Sequence, residues 1–129
     1  MRYIAYGSNL DVEQMQWRCP NARIVKVSKL VDFRLRFRRG FLTIEPAEGC
    51  EVPVVIWEID DSDLRALDRY EGHAYYKIVL PEGFAYVMYT KYPLGKPTSM
   101  YLKTVVNGYD YFGFDLDILQ EAYDEVSEM

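Results

Sequence analysis

From Val52 to Ile59 the sequence is a nearly unbroken run of apolar, largely β-branched residues. A run of this kind reads as a strand buried on both faces. Such a strand belongs in the middle of a sheet, so the rest of the chain has to supply neighbours and cover for it. The flanking sequence offers both. Arg2 to Tyr6 is a short β-rich start, and from Ala22 to Phe37 the pattern is mostly strand-like, with Phe33, Leu35 and Phe37 alternating with Arg34, Arg36 and Arg38. Phe41-Leu42-Thr43-Ile44 gives a further strand before Pro46, and two more, Tyr75 to Leu80 and Phe84 to Tyr92, flank the turn residues Pro81-Glu82-Gly83.

Helices fill the intervals. Asp11 with Gln14 three residues on resembles a capping box and opens a short helix that ends before Pro20. Asp60, Asp61 and Ser62 are N-cap candidates for a helix with Leu64 and Leu67 on its apolar side, stopping at Glu71-Gly72. Met100, Lys103, Thr104 and Asn107 recur at helical spacing up to Gly108 or Gly113, and a last segment carries Leu116, Leu119 and Tyr123 as its buried stripe. The expectation is an α+β protein: a curved, barrel-like mixed β-sheet with a few short helices, residues 1–129 forming one domain.

Charge narrows the partners. With 15 Lys and Arg against 20 Asp and Glu, the net charge of −5 argues against a dedicated binder of nucleic acid or anionic membrane. No apolar run approaches membrane-spanning length, and the amino terminus is too short and polar for a signal peptide. Two cysteines, Cys19 and Cys50, make neither a disulfide framework nor a zinc knuckle. The chain is expected to be cytoplasmic and metal-free, with no nucleic-acid or membrane partner. Twelve tyrosines stand out. Strand propensity accounts for them, although a polar-lined pocket would draw on the same residue.

Two places carry chemistry. Tyr6-Gly7-Ser8-Asn9-Leu10 takes a strand through a glycine turn into a helix, which points several backbone N–H groups one way and suits an anion or oxyanion. An ordinary turn with an N-cap explains the same residues. Glu71 is placed at a helix C-terminus, where the macrodipole is negative, among Tyr70, Tyr75 and Tyr76. Both surroundings raise a carboxyl pKa towards the range of a general base. A solvated glutamate paired with Arg69 or Lys77 is the plainer reading. His73 reads as a surface residue, with the pocket rim as the alternative, and Cys19 lacks a histidine to activate it. Arg34, Arg36, Arg38 and Arg39 read as the solvated side of an edge strand rather than an anion grip.

Together these residues resemble a known family. Tyr3-Ile4-Ala5-Tyr6-Gly7-Ser8-Asn9-Leu10 is similar to the amino-terminal signature of the γ-glutamylcyclotransferases and their AIG2-like relatives. A second block agrees: the strand Val54-Val55-Ile56-Trp57-Glu58-Ile59, then Asp63-Leu64, Leu67-Asp68 and Glu71-Gly72, resembles the family's strand and helix ending in the catalytic glutamate. Pro97-Thr98-Ser99-Met100-Tyr101 with Gly108 resembles its distal substrate-binding segment, and Asp115-Leu116 to Val126 its last helix.

The resemblance implies cyclisation of a γ-glutamyl amide to 5-oxoproline and a free amine, with Glu71 as general acid/base. It implies substrate contacts from Tyr3, Tyr6, Gly7, Ser8, Asn9, Leu10, Tyr76 and Tyr101. The partner it implies is a small γ-glutamyl molecule, with no metal, nucleotide or prosthetic cofactor, and it leaves room for a homodimer. Glutathione metabolism and a specialised biosynthesis both fit. The segments between Glu71 and Tyr76 and around Gly40 are shorter than in the mammalian glutathione-pathway enzymes, so substrate choice does not transfer with the glutamate. A non-catalytic small-molecule-binding module on the same fold is the alternative.

Overall fold

The computed structural model describes residues 1–129. Its chain order is β1 (Arg2–Ala5), α1 (Val12–Arg18), β2 (Arg23–Arg38), β3 (Phe41–Glu58), α2 (Asp61–Glu71), β4 (Tyr75–Leu80), β5 (Gly83–Met88), α3 (Ser99–Phe112) and α4 (Leu116–Asp124). The strands form one mixed sheet in the order β2-β3-β1-β5-β4. β1 runs antiparallel to β3 and parallel to β5. The architecture is α+β, but the sheet is open rather than closed into a barrel: β2 and β4 are its two edges.

The run from Val52 to Ile59 forms the buried strand its residues predict, closing at Glu58. Val52, Val54, Val55 and Ile56 are each fully buried and Trp57 nearly so. Yet it is not a separate strand. β3 continues back through Pro46 to Phe41, pairing with β2 along most of its length. Proline is tolerated because β1 joins β3 only from Val55 onward, so at Pro46 the missing N–H lies on an unpaired side. The long β2–β3 ribbon bends at register shifts between Ile24 and Lys26 and between Val31 and Phe33. At the second, Asp32 takes a left-handed φ of 65° and its carboxylate accepts the Gly49 N–H at 3.0 Å. That bend lets both halves of the ribbon cover one core.

The caps expected from sequence are formed. Asp11 accepts the Gln14 N–H at 3.2 Å, and Asp60 accepts the Asp63 N–H at 2.8 Å in a reciprocal capping box with Asp63. Gly108 does not stop α3, which runs on to Phe112 and ends at the left-handed Gly113. In α4 the buried residues are Leu119 and Ala122, with Val126 beyond, while Leu116 is 42% exposed. No helix is long and apolar enough to cross a membrane.

Candidate functional site

A cavity of about 500 Å³ opens between the Gly7–Leu10 turn, the C-terminal end of α2, the β2–β3 turn and the first turn of α3. Seven of the 12 tyrosines line it, so the tyrosine excess is in large part a pocket lining and not only strand propensity. Six of the seven hydroxyls are tied down. Tyr6 donates to the Tyr86 carbonyl at 2.5 Å and Tyr75 to the Leu42 carbonyl at 2.9 Å. Tyr101 accepts the Leu42 N–H at 3.1 Å, and Tyr3 accepts the Asn9 side-chain amide at 2.9 Å. Burial pushes the Tyr3, Tyr6, Tyr75 and Tyr101 phenols well above their ordinary range, so they stay neutral donors and acceptors.

The glycine turn sits at the buried end. Within it the only backbone hydrogen bonds run from the Leu10 N–H to Gly7 (3.0 Å) and from the Asp11 N–H to Ser8 (3.1 Å). The earlier N–H groups of the turn have no partner inside it, which is the arrangement an anion or oxyanion needs. Asn9 is anchored on both sides, donating to Tyr3 and accepting from the Arg18 guanidinium, which stacks on the Tyr70 ring. Ser8 Oγ lies 2.8 Å from the Tyr70 hydroxyl.

Glu71 is the last residue of α2 and lines the cavity partly buried. Its carboxyl makes no hydrogen bond or ion pair within the protein; Lys77, a pairing candidate from sequence, is bound to Asp68 instead. Burial raises its pKa to about 7, with the Arg18 charge pulling the other way. Gly72, directly after it, has φ 70° and ψ −159°, a conformation that is essentially glycine-only. No atom blocks a Cβ at this position. Gly72→Ala is therefore expected to cost about 1–3 kcal/mol through backbone strain alone, read by urea unfolding; an unchanged midpoint would show the turn relaxes freely.

Of the residues expected at the site, Tyr3, Tyr6, Gly7, Ser8, Asn9, Glu71 and Tyr101 all face the cavity. Two do not. Leu10 is fully buried behind the turn, against α3. Tyr76 is 39% exposed and points away, packing at a tilt against Tyr89, because strand alternation in β4 sends Tyr75 inward instead. His73, expected at the surface, is exposed and borders the cavity. Arg39, read from the sequence as part of a solvated strand, also lines the cavity, and the signal that it sits in a turn was the Gly40 that follows it. No three His, Cys, Asp or Glu side chains come together in a way that could hold a metal ion.

This geometry has close company among known proteins. Residues 3–105 match the family model described as gamma-glutamyl cyclotransferase, AIG2-like. Human gamma-glutamylcyclotransferase is 33% identical over 138 aligned positions, which cover 89% of this chain and 73% of the human protein. The bovine gamma-glutamylcyclotransferase is 38% identical over 81 positions, covering 54% of this chain and 43% of its own length. A solved gamma-glutamyl cyclotransferase superposes with a TM-score of 0.78 at 30% identity, over 98% of this chain and 87% of the other. With the family model matched over residues 3–105, a relative of 33% identity along most of the chain and the architecture shared, the chain belongs to the gamma-glutamyl cyclotransferase, AIG2-like family.

Proposed function

We propose that the chain converts γ-glutamyl amides to 5-oxoproline and a free amine, with Glu71 as general acid/base. One observation carries this reading: a carboxyl without a protein partner, its pKa at about 7, faces a cavity that also holds the free N–H groups of the Gly7–Asn9 turn. A binding module has no use for a carboxyl poised between its two protonation states near neutrality.

The substrate's α-ammonium loses a proton to Glu71, and the freed amine attacks its own γ-carbonyl carbon. The carbonyl π electrons move onto oxygen, where the N–H groups of the turn meet the developing charge. As the tetrahedral intermediate collapses, the C–N bond to the leaving amine breaks and Glu71 returns its proton to that nitrogen. The second proton of the attacking nitrogen passes by way of the same carboxylate to the departing amine, which leaves as an ammonium. Because the attack is intramolecular, most of the remaining work is conformational. The tyrosine walls, with hydroxyls fixed by backbone partners, suit the folding of the glutamyl chain into an attack-ready shape.

Incubation with a panel of γ-glutamyl-amino acids and γ-glutamylamines, with 5-oxoproline read by mass spectrometry, tests the activity. Product from at least one panel member is expected; none from any would remove the proposal. The pH dependence follows from the sign of the shift. Glu71 must be ionised to accept a proton, so kcat/KM should rise with pH and reach half its plateau near pH 7. A rate already flat from pH 5 upward would exclude Glu71 as the base.

A further inference from the structure

Charge is sparse around the cavity: Glu71 is its only carboxylate, and Arg39 its only lysine or arginine. Arg39 is unusual in its backbone. With φ 55° it is left-handed, and with Gly40 at φ 83° it makes the two-residue turn between β2 and β3. Asparagine or aspartate is the residue such a position favours, and an arginine is held there against its preference.

Its side chain is equally distinct. Arg34, Arg36 and Arg38 are all neutralised, by Glu125, by Glu45 or by both. Arg39 has no ion pair, and its guanidinium lies 4.9 Å from the centre of the Tyr92 ring. The segment from Pro93 clamps the turn in place. The Arg39 N–H donates to the Pro93 carbonyl at 2.9 Å, the Gly95 N–H donates to Phe37 at 3.1 Å, and a Cβ on Gly95 would come within 3.0 Å of the Gly40 nitrogen. A strained turn, rigidly braced, thus offers an uncompensated cation to the cavity.

Its place in the cavity says what it meets. Ser8 and Asn9 are buried while Arg39 is exposed, so the turn glycine marks the floor and Arg39 the mouth. Arg18, and not Arg39, is the cation whose field reaches Glu71. The glutamyl α-carboxylate shares a carbon with the amine that Glu71 deprotonates, so it stays at the Glu71 end. The group bonded to the γ-carbonyl is the one that projects outward. Building on the activity proposed above, we propose that Arg39 is a specificity residue that hydrogen-bonds the carboxylate of the leaving amine, directing the chain to γ-glutamyl-α-amino acids over γ-glutamylamines that lack a carboxylate.

The test compares kcat/KM for γ-glutamylalanine and γ-glutamylethylamine in the wild type, Arg39→Asn and Arg39→Lys. Asparagine suits the left-handed position, so that variant should melt no lower than the wild type. The wild type should favour the alanine compound by roughly 10- to 100-fold, the range of one charge-assisted hydrogen bond. Arg39→Asn should bring the ratio close to unity, and Arg39→Lys should restore part of it. Equal losses on both substrates would place the guanidinium on the glutamyl head and overturn the inference, as would an unchanged ratio. If the wild type turns over neither compound but does release 5-oxoproline from other panel members, this inference fails alone. No product from any γ-glutamyl amide would remove the activity itself, and the inference with it.

Discussion

Glu71→Gln is expected to lose about 10²–10⁴-fold in kcat while becoming more stable than the wild type above pH 7. The loss follows from removing the group that accepts and returns the proton; an amide of the same shape can do neither. The gain in stability follows from the same environment. In the folded protein the Glu71 carboxyl titrates at about 7, against an ordinary value of 4.5. Between those two pH values the folded state holds a proton that the unfolded state has released. Stability from this group therefore falls as pH rises from 4.5 to 7, and above pH 7 the full cost of the buried charge, about 3 kcal/mol, is present. Glutamine carries no charge to desolvate, so it should recover part of that cost, about 1–3 kcal/mol once its unpaired amide is counted.

The sign separates this position from the carboxylates held by a cation; Asp63, also raised by burial, shares it. Glu45 is pushed up by burial but held below its usual range on balance by Arg38 and Arg36, while hydrogen bonds from Arg36 and Tyr86 lower Glu125 and Asp68 respectively. Those groups stabilise above their unfolded pKa values and lose that contribution as pH falls through the folded ones, well into the acid range. Thermal melts of wild type and Glu71→Gln from pH 4 to 9 should therefore coincide at the acid end and separate above pH 5. A variant that is inactive yet less stable at pH 8 would mean Glu71 makes structural contacts, and its loss of activity would no longer identify the base.

How far the sequence carried this picture depended on whether a signal was local. Asp11 before α1, Asp60 among the three N-cap candidates before α2, and Gly72 after Glu71 are cap and stop signals whose partners lie within four residues, and each closes its helix end. The Gln14 side chain, however, reaches Thr104 and not back to Asp11, so the first box is only half formed. The strand at Val52–Ile59 was legible because burial on both faces leaves no alternation to interpret. What failed needed tertiary information. Choosing between Tyr75 and Tyr76 requires knowing which face β4 turns to the core, and adjacent residues of one type give no hint. Pro46 ends a strand only if its N–H side has a partner, which depends on how far β1 reaches along β3. The arginine ladder looked uniform in sequence, yet Glu125, distant along the chain, closes on Arg34 and Arg36 while Arg39 is left out. The site itself was found by resemblance more than by pattern. A glycine turn and a glutamate at a helix end are each common; what is informative is that the fold brings both to one cavity.

Gly108 shows the same limit and leads to the second large effect: Gly108→Ala should lose about 1–3 kcal/mol of stability and about 100-fold in activity together. Read locally, a glycine in α3 is a stop, but the helix runs through it. The reason for glycine is the approach of Leu10. A Cβ at position 108 would stand 2.5 Å from the Leu10 Cβ, 2.6 Å from its carbonyl carbon and 2.8 Å from its oxygen. Two of those three are backbone atoms, so no rotamer change relieves the clash; either α3 or the Gly7–Leu10 turn has to move. The same helix carries Tyr101, whose hydroxyl receives the Leu42 N–H, so displacement reaches the site from both sides. A shift of about 1 Å in groups that contact a reacting centre is enough for the stated loss of rate. Asn107→Ala, an exposed neighbour on the same helix, is the control for helix propensity and should be close to neutral. If Gly108→Ala instead matches that control in both unfolding and 5-oxoproline release, the packing of α3 on the signature turn is not what holds the turn in its working shape.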